Sequence, residues 1–200
     1  MVVLAIIALF LGIICGNLVF PEQITNYLSG VSDYILYLLM FCVGISVGMN
    51  KMVFQKIKEY HFKIFIIPIG IIIGSIIGGA CSVLILDIPL NECIAVASGL
   101  GWYSLTGILL SNVGGATLGT IGFLSNLMRE IISFMIIPYI AKRFNKFTAI
   151  APAAATSEDT TLYIIMKSTS EEVVIMAIFN GVICSAMVPI LIKIFYPMFL

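Results

Sequence analysis

The chain has 200 residues, of which 61% are hydrophobic and 10% are charged, and its formal net charge is zero. Soluble domains are roughly half apolar and a quarter charged, so this balance excludes a water-soluble domain and indicates an integral membrane protein. A zero net charge also argues against nucleic acid as a partner.

The first predicted elements are three membrane-spanning helices. A span needs about 20 apolar residues, and the segments 2–20, 29–47 and 64–86 are long and apolar enough. The loop between the second and third helices is rich in lysine: Lys51, Lys56, Lys58 and Lys63. By the positive-inside rule this loop is cytoplasmic, which predicts a cytoplasmic N-terminus and places residues 87–92 outside.

Two apolar segments, 93–113 and 116–141, precede the next basic cluster at residues 142–146. Because that cluster is also expected in the cytoplasm, only one of the two segments can cross. The first has the centre GLGWYSLTG, which is rich in helix-breaking and polar residues. We therefore predict that 93–113 is a broken helical hairpin that enters from outside and returns, buried in protein or lining a cavity.

The pattern recurs in residues 147–170, whose centre is ATSEDTT, before a last apolar helix over 173–197. A second hairpin entered from the cytoplasm places the C-terminus outside. The predicted fold class is an all-α integral membrane protein with about five transmembrane helices and two re-entrant or broken helical hairpins in an inverted arrangement. Residues 1–92 are interpreted as a three-helix N-terminal scaffold and residues 93–200 as a transport core.

The stretch FLSNLMREIISFMIIP places Arg129 and Glu130 side by side in an apolar run. A charge at the bilayer centre costs about 2.5–3.5 kcal/mol and commonly marks a transport pathway. Adjacent helix residues point about 100° apart, so each charge needs its own partner. Glu130 suits a proton or cation, and Arg129 suits a counter-charge for Glu130 or a carboxylate ligand. An internal salt-bridge network that holds helices together is the alternative.

Two more acids, Glu158 and Asp159, fall at the break of the second hairpin. We expect Asp159 to be buried and Glu158 to be the more exposed acid. The alternative is a polar loop in which Ser157 caps a helix that begins near Thr160. The other candidates for substrate or proton binding are polar or aromatic residues near the breaks and inside the helices: Asn126, Ser157, Trp102, Tyr103, Ser104, Thr106 and Asn180. An interfacial aromatic belt is the competing interpretation of Trp102 and Tyr103, and helix packing that of Asn180.

Three motifs, GLGWYSLTGILL, NLMREII with the following IPYIAKR, and ATSEDTTL, resemble the LysO-type lysine exporter family, and the likeness runs over essentially the whole chain. The resemblance implies export of L-lysine and analogues such as thialysine across the bacterial inner membrane. It also implies two functional intramembrane acids, which fall here at Glu130 and Asp159. Glu158 departs from the family pattern by adding an acid, and longer members carry extra helices ahead of the matched region.

A secondary transporter that exports a basic amino acid in exchange for protons is the first functional hypothesis. Acids that hold either an ammonium group or a proton, but not both, provide the competition that antiport requires. The chain has no G-x-x-x-x-G-K-[ST] motif, and we expect no cofactor, no metal and no enzymatic activity, with the proton as coupling ion. An intramembrane enzyme and a channel-like or non-transporting subunit are the alternatives.

The expected partners are L-lysine or a related basic amino acid, the lipid bilayer and another membrane chain. That chain is expected to be a small subunit of about three helices, or else a second copy in a homodimer. The helices 2–20 and 64–86 are the predicted interface, the latter because Gly70, Gly74 and Gly78 suit close helix contact.

Overall fold

The computed structural model describes residues 65–198 continuously and, before them, only scattered positions between residues 7 and 49. Most of the predicted helices 2–20 and 29–47, and the lysine-rich loop, therefore lie outside the described residues. Contacts divide the chain into two compact units, Met1–Ser46 and Val47–Leu200. In the first unit, a π-helical turn spans Cys15–Val19 and ends where the Phe20 amide donates to the Cys15 carbonyl at 2.8 Å.

Every regular element among the described residues is helical, which confirms the predicted all-α class. Within residues 65–198 we number five α-helices: α1 (Ile66–Ser82), α2 (Leu90–Ala97), α3 (Tyr103–Arg143), α4 (Leu162–Ser168) and α5 (Glu171–Met198). Single 3-10 turns lie at Thr148–Ile150 and Ala154–Glu158. Two helices in this part of the chain, α3 and α5, are long and apolar enough to cross a membrane, whereas α1 is apolar but shorter.

Helix α3 is two helices joined at Gly115, whose backbone has φ 81° and ψ 175°. That left-handed conformation is open to glycine and strained for other residues. The chain reverses here, so residues 103–114 pack antiparallel along 116–143. The packing is so close that a side chain at Gly119 would overlap Ser111 and the Gly107 carbonyl. The boundary between the two predicted segments 93–113 and 116–141 falls at this reversal.

The segment from α2 to Gly114 begins and ends beside Tyr196, near the C-terminal end of α5. Near its start, the Asn91 side-chain amide donates to the Tyr196 carbonyl at 3.1 Å. At its end, Gly114 lies beside the Tyr196 hydroxyl. Both ends therefore meet the last turns of α5, and the helix over 116–143 starts from that same end. It follows that 116–143 and α5 run antiparallel.

The segment between residues 144 and 170 forms the second hairpin, from the two 3-10 turns and α4. Its ends adjoin Arg143 and Glu171, the neighbouring ends of α3 and α5. Its centre contacts the middle of α5, where the Asn180 side chain donates to the Ala154 carbonyl at 2.9 Å. Each hairpin is therefore followed by a long helix that packs against the hairpin's own break.

The two hairpin-and-helix segments have the same spacing between the break and the asparagine of the following helix. Among the described residues, Leu100 (φ 49°) and Ala154 (φ 48°) are the non-glycine residues with positive φ. Each precedes an asparagine of the following helix by 26 residues, Asn126 in the first segment and Asn180 in the second (126 − 100 and 180 − 154). The second segment thus repeats the first with a shift of 54 residues (154 − 100) and the opposite direction.

The same shift relates the two helix boundaries. Gly115 interrupts α3, and the residue 54 positions later, Thr169, ends α4 in a non-helical conformation before α5. The repeat is hard to see in the sequence because equivalent positions carry different chemistry. The position that corresponds to Glu130, for instance, is occupied by Cys184.

Candidate functional site

The two breaks meet at the centre of the second unit. The Ala155 amide of the second break donates to the Leu100 carbonyl of the first at 3.0 Å. Backbone groups freed by a broken helix need partners when they are buried, and here one break supplies the partner for the other. The contact places the functional candidates of both hairpins around one point.

Asn126 organises the first break. Its side-chain oxygen accepts from the Gly101 amide at 2.8 Å, and its nitrogen donates to the carbonyls of Val96 at 3.0 Å and Gly122 at 2.9 Å. Buried Thr106 donates to the Trp102 carbonyl at 2.7 Å. The polar atoms of Asn126 and the Thr106 hydroxyl are thus engaged within the protein, where they shape the break.

The second break is held by hydrogen bonds from the side chains of Asn180 and Ser157. The Asn180 side-chain nitrogen donates to the Ala154 carbonyl at 2.9 Å and to the Ser157 hydroxyl at 3.0 Å. The Ser157 hydroxyl also lies 2.8 Å and 2.7 Å from the carbonyls of Ala154 and Ala177. Since α4 begins only at Leu162 and no side chain caps it, the alternative in which Ser157 is a helix cap is wrong.

Glu130 is the most unusual group at the centre. Its side chain is 1% exposed, and neither carboxylate oxygen has a hydrogen-bond partner among the described residues. The Thr160 side chain lies close, outside hydrogen-bond geometry, and Asp159 is within electrostatic range. A buried carboxylate without donors is costly, and a proton or a cation relieves that cost.

Tyr103 lies with these acids, within electrostatic range of both Glu130 and Asp159. Its ring packs edge-on against Phe123 with centroids 5.3 Å apart. Trp102, half-buried, is the N-cap residue directly before α3, and Ser104 is exposed. The location of Tyr103 beside the central acids favours a role at the site over the alternative of an interfacial belt.

The expectation that Asp159 is buried and Glu158 exposed is wrong. Glu158 is half-buried and accepts a hydrogen bond from Ser185 of α5 at 3.0 Å, whereas the Asp159 side chain is exposed. The reason is the packing of α5, where Gly181 has no side chain and therefore leaves room for Glu158. Asp159 turns away and accepts hydrogen bonds from the amide and hydroxyl of Thr160.

Arg129 faces a different set of groups. Its Nη1 donates to the Ser75 hydroxyl of α1 at 2.9 Å, and its Nε donates to the Pro152 carbonyl at 3.3 Å. Within residues 65–198, no carboxylate lies within ion-pair distance of the guanidinium. The alternative of a salt-bridge network through Arg129 and Glu130 therefore has no support in the described part of the chain.

Two cavities lie on either side of the contact between Arg129 and Ser75. The first, of about 510 Å³, extends along the second half of α1 towards Leu86 and Ile88. The other, of about 500 Å³, extends along the first half of α1 towards Phe147. Arg129 and Ser75 line both, and Glu130, Glu158 and Asp159 line neither. Arg129 thus lines both cavities and the acids line neither, while Asp159 is within electrostatic range of both Glu130 and Glu158.

Sequence reasoning missed the serine and threonine partners of the charged residues. Ser75, Ser133, Thr160 and Ser185 each contact or approach a candidate group or share its carbonyl partner. A serine inside an apolar helix was the available signal, as in IIIGSIIGG. It is a weak one, because small polar residues also serve ordinary helix packing in membranes.

Comparison with known proteins places the chain in a family. The profile described as "Lysine exporter LysO" matches residues 6–196. A protein of Escherichia coli (strain K12) named "Lysine exporter LysO" is 39% identical over 170 residues, which is 85% of this chain and 56% of that protein. A "Putative lysine exporter" of Haemophilus influenzae is 36% identical over 190 residues, which is 94% of both chains.

The chain therefore spans about half the length of the Escherichia coli relative and nearly all of the Haemophilus influenzae one. No solved structure matches it. The family match covers both hairpins and every residue discussed above, and the chain belongs to the lysine exporter LysO family.

Proposed function

We propose that this chain is a secondary transporter that exports L-lysine, and basic analogues such as thialysine, from the bacterial cytoplasm by proton antiport. The observation that carries the proposal is the buried Glu130 carboxylate, which has no hydrogen-bond donor among the described residues and is within electrostatic range of Asp159. The names of both relatives supply the substrate, and they describe transporters rather than enzymes.

In the proposed mechanism Glu130 and Asp159 form one cation site. Glu130 is buried and Asp159 is exposed beside it, so an ammonium group reaches Asp159 first and Glu130 next. A proton on Glu130 removes the charge that attracts the ammonium group, so the two cations exclude each other. Each time the transporter changes between its inward-open and outward-open conformations, the site carries either lysine or a proton, and this couples the two fluxes.

The proposed topology has five transmembrane helices and two re-entrant hairpins, with residues 1–92 as scaffold and 93–200 as transport core. Its support is the pair of antiparallel hairpin-and-helix segments, whose equivalent positions are 54 residues apart in the sequence. Such an inverted pair is typical of secondary transporters. With the chain in the bacterial inner membrane, the N-terminus is cytoplasmic and the C-terminus outside. Single cysteines at Lys58 and Asn145 should then be labelled only from the cytoplasm, and one at Leu200 only from outside.

The direct test of export is counterflow of radiolabelled lysine in proteoliposomes, with arginine, ornithine and neutral amino acids as competitors. We expect saturable lysine exchange that basic amino acids compete for and neutral ones do not. An imposed inward proton gradient should accelerate lysine efflux, and a protonophore should abolish the acceleration. Exchange that ignores the proton gradient would remove the antiport mechanism and leave lysine transport standing.

A membrane partner is part of the proposal, either a small subunit of about three helices or a second copy of the chain. Gly70, Gly74 and Gly78 of α1 line the two cavities, and an added side chain there would meet nothing within 4 Å in the described part. Gly74→Leu and Gly78→Leu should weaken the complex, which co-purification and size-exclusion chromatography with light scattering would measure. Export of lysine by a stable monomer in liposomes would contradict the requirement for a partner.

A further inference from the structure

We propose that Arg129 binds the carboxylate of the transported amino acid, at the constriction between the two cavities beside α1. The inference rests on the proposed export function and adds to it the recognition of a substrate group that the acids cannot bind. It assigns the carboxylate and the ammonium groups of the substrate to different faces of α3.

The first support is the incomplete bonding of the Arg129 guanidinium. Its partners among the described residues are one hydroxyl, that of Ser75, and one backbone carbonyl, that of Pro152. Both are neutral acceptors, and several guanidinium N–H groups remain for a ligand. A carboxylate forms shorter, charge-assisted and commonly bidentate bonds with arginine, so it would displace the Ser75 hydroxyl.

The second support is the shape of the surroundings. Each cavity, at about 510 and 500 Å³, falls within the roughly 300–1,000 Å³ range of small-ligand pockets. The cavities extend towards opposite ends of α1 and share Ser75 and Arg129. A carboxylate in either cavity can therefore reach the same guanidinium, where it would take the place of the Ser75 hydroxyl.

The third support is that no acid of residues 65–198 lines this region. Neither cavity is lined by an aspartate or glutamate of the described part, so an anionic ligand meets no like charge there. Hydroxyls of Ser82 and Ser125 add polar groups to the first cavity. The charge and lining thus fit a carboxylate better than an ammonium group.

The test compares ligands that differ only at the carboxylate: lysine, lysinamide and cadaverine, which lacks the group. Their binding to the purified full chain in lipid nanodiscs would be measured by isothermal titration calorimetry. Wild-type protein should bind lysine about 10–100-fold more tightly than cadaverine, the worth of a hydrogen-bonded charge pair. Lysinamide should bind like cadaverine.

The matched variants are Arg129→Gln and Arg143→Gln, the latter exposed at the end of the same helix. Arg129→Gln should lose the preference for lysine and keep the wild-type affinity for cadaverine, while Arg143→Gln should behave as wild type. A preference for lysine that survives in Arg129→Gln would overturn the inference. If that variant does not fold, the wild-type protein decides: equal affinities for lysine, lysinamide and cadaverine overturn the inference, and a failure to bind any of them overturns the export function as well.

Discussion

Arg129 and Glu130 are adjacent in the sequence, yet their side chains meet different groups. The Arg129 side chain is half-buried between two cavities and is bonded to Ser75 of α1 and Pro152 of the second hairpin. The Glu130 side chain is buried, within electrostatic range of Tyr103 and Asp159, and has no hydrogen-bond donor among the described residues. The helix therefore separates a cation from an anion that are neighbours in the chain.

The separation follows from helix geometry, since adjacent side chains point about 100° apart and cannot neutralise each other. Two charges without an ion-pair partner among the described residues are costly for stability and useful for binding. A zwitterionic substrate with an extra ammonium group needs both signs at different places. We therefore expect the Arg129 face of α3 to bind the substrate carboxylate and the Glu130 face to bind an ammonium group.

The largest expected effect is on the Glu130 face. Glu130→Gln keeps the volume of the side chain and removes its charge, so lysine counterflow should fall by about 100-fold, the upper range for a buried charge-assisted contact. Glu171→Gln, at the exposed start of α5, is the matched control and should transport normally. Wild-type counterflow in Glu130→Gln would remove that residue from the mechanism.

At Glu130 we expect a substitution that abolishes transport to raise the stability of the protein. Replacing Glu130 by leucine removes a buried polar group that lacks partners, so the protein should gain about 1–3 kcal/mol in unfolding free energy. Thermal unfolding in detergent, followed by tryptophan fluorescence, would show a raised midpoint while transport is lost. A lowered midpoint would mean that the carboxylate is stabilised by groups outside the described residues.

The two acids of the second break should differ from each other. Asp159 is close to Glu130, whereas Glu158 is held by Ser185, so Asp159→Asn should reduce counterflow by about 10-fold or more and Glu158→Gln by less. Both variants are isosteric and serve as controls for one another. A larger loss in Glu158→Gln would mean that Glu158, and not Asp159, is the second acid of the cation site.

The smallest expected effect is on the Arg129 face. Ser75→Ala removes a hydroxyl that the substrate carboxylate is proposed to displace, so lysine should bind a few-fold more tightly, as expected for loss of one competing hydrogen bond. Thr120→Ala, on α3, is the control, because its hydroxyl bonds to the Ala116 carbonyl and it lines neither cavity. Weaker lysine binding in Ser75→Ala would show that the hydroxyl is retained as a ligand contact.

The sequence by itself determined the class of the protein and the order of its core elements. Apolar length and the scarcity of charge identified the two long helices α3 and α5, and glycine-rich or acidic centres located the two breaks, because these signals are local. The positions of the reversal at Gly115 and of the long helix before Pro197 were predicted within a few residues. Arg129 and Glu130 stood out for the same reason, as charges in an apolar run.

Only the tertiary structure decided what each polar residue contacts. The sequence could not show that Gly181 makes room for Glu158 and leaves Asp159 exposed, or that Asn126 and Asn180 occupy equivalent places in a 54-residue repeat. Nor could it pair Arg129 with Ser75, which is 54 residues distant in the chain. Local periodicity fixes which face of a helix a residue occupies, but its partner comes from another element, and only the packing of the hairpins brings the two together.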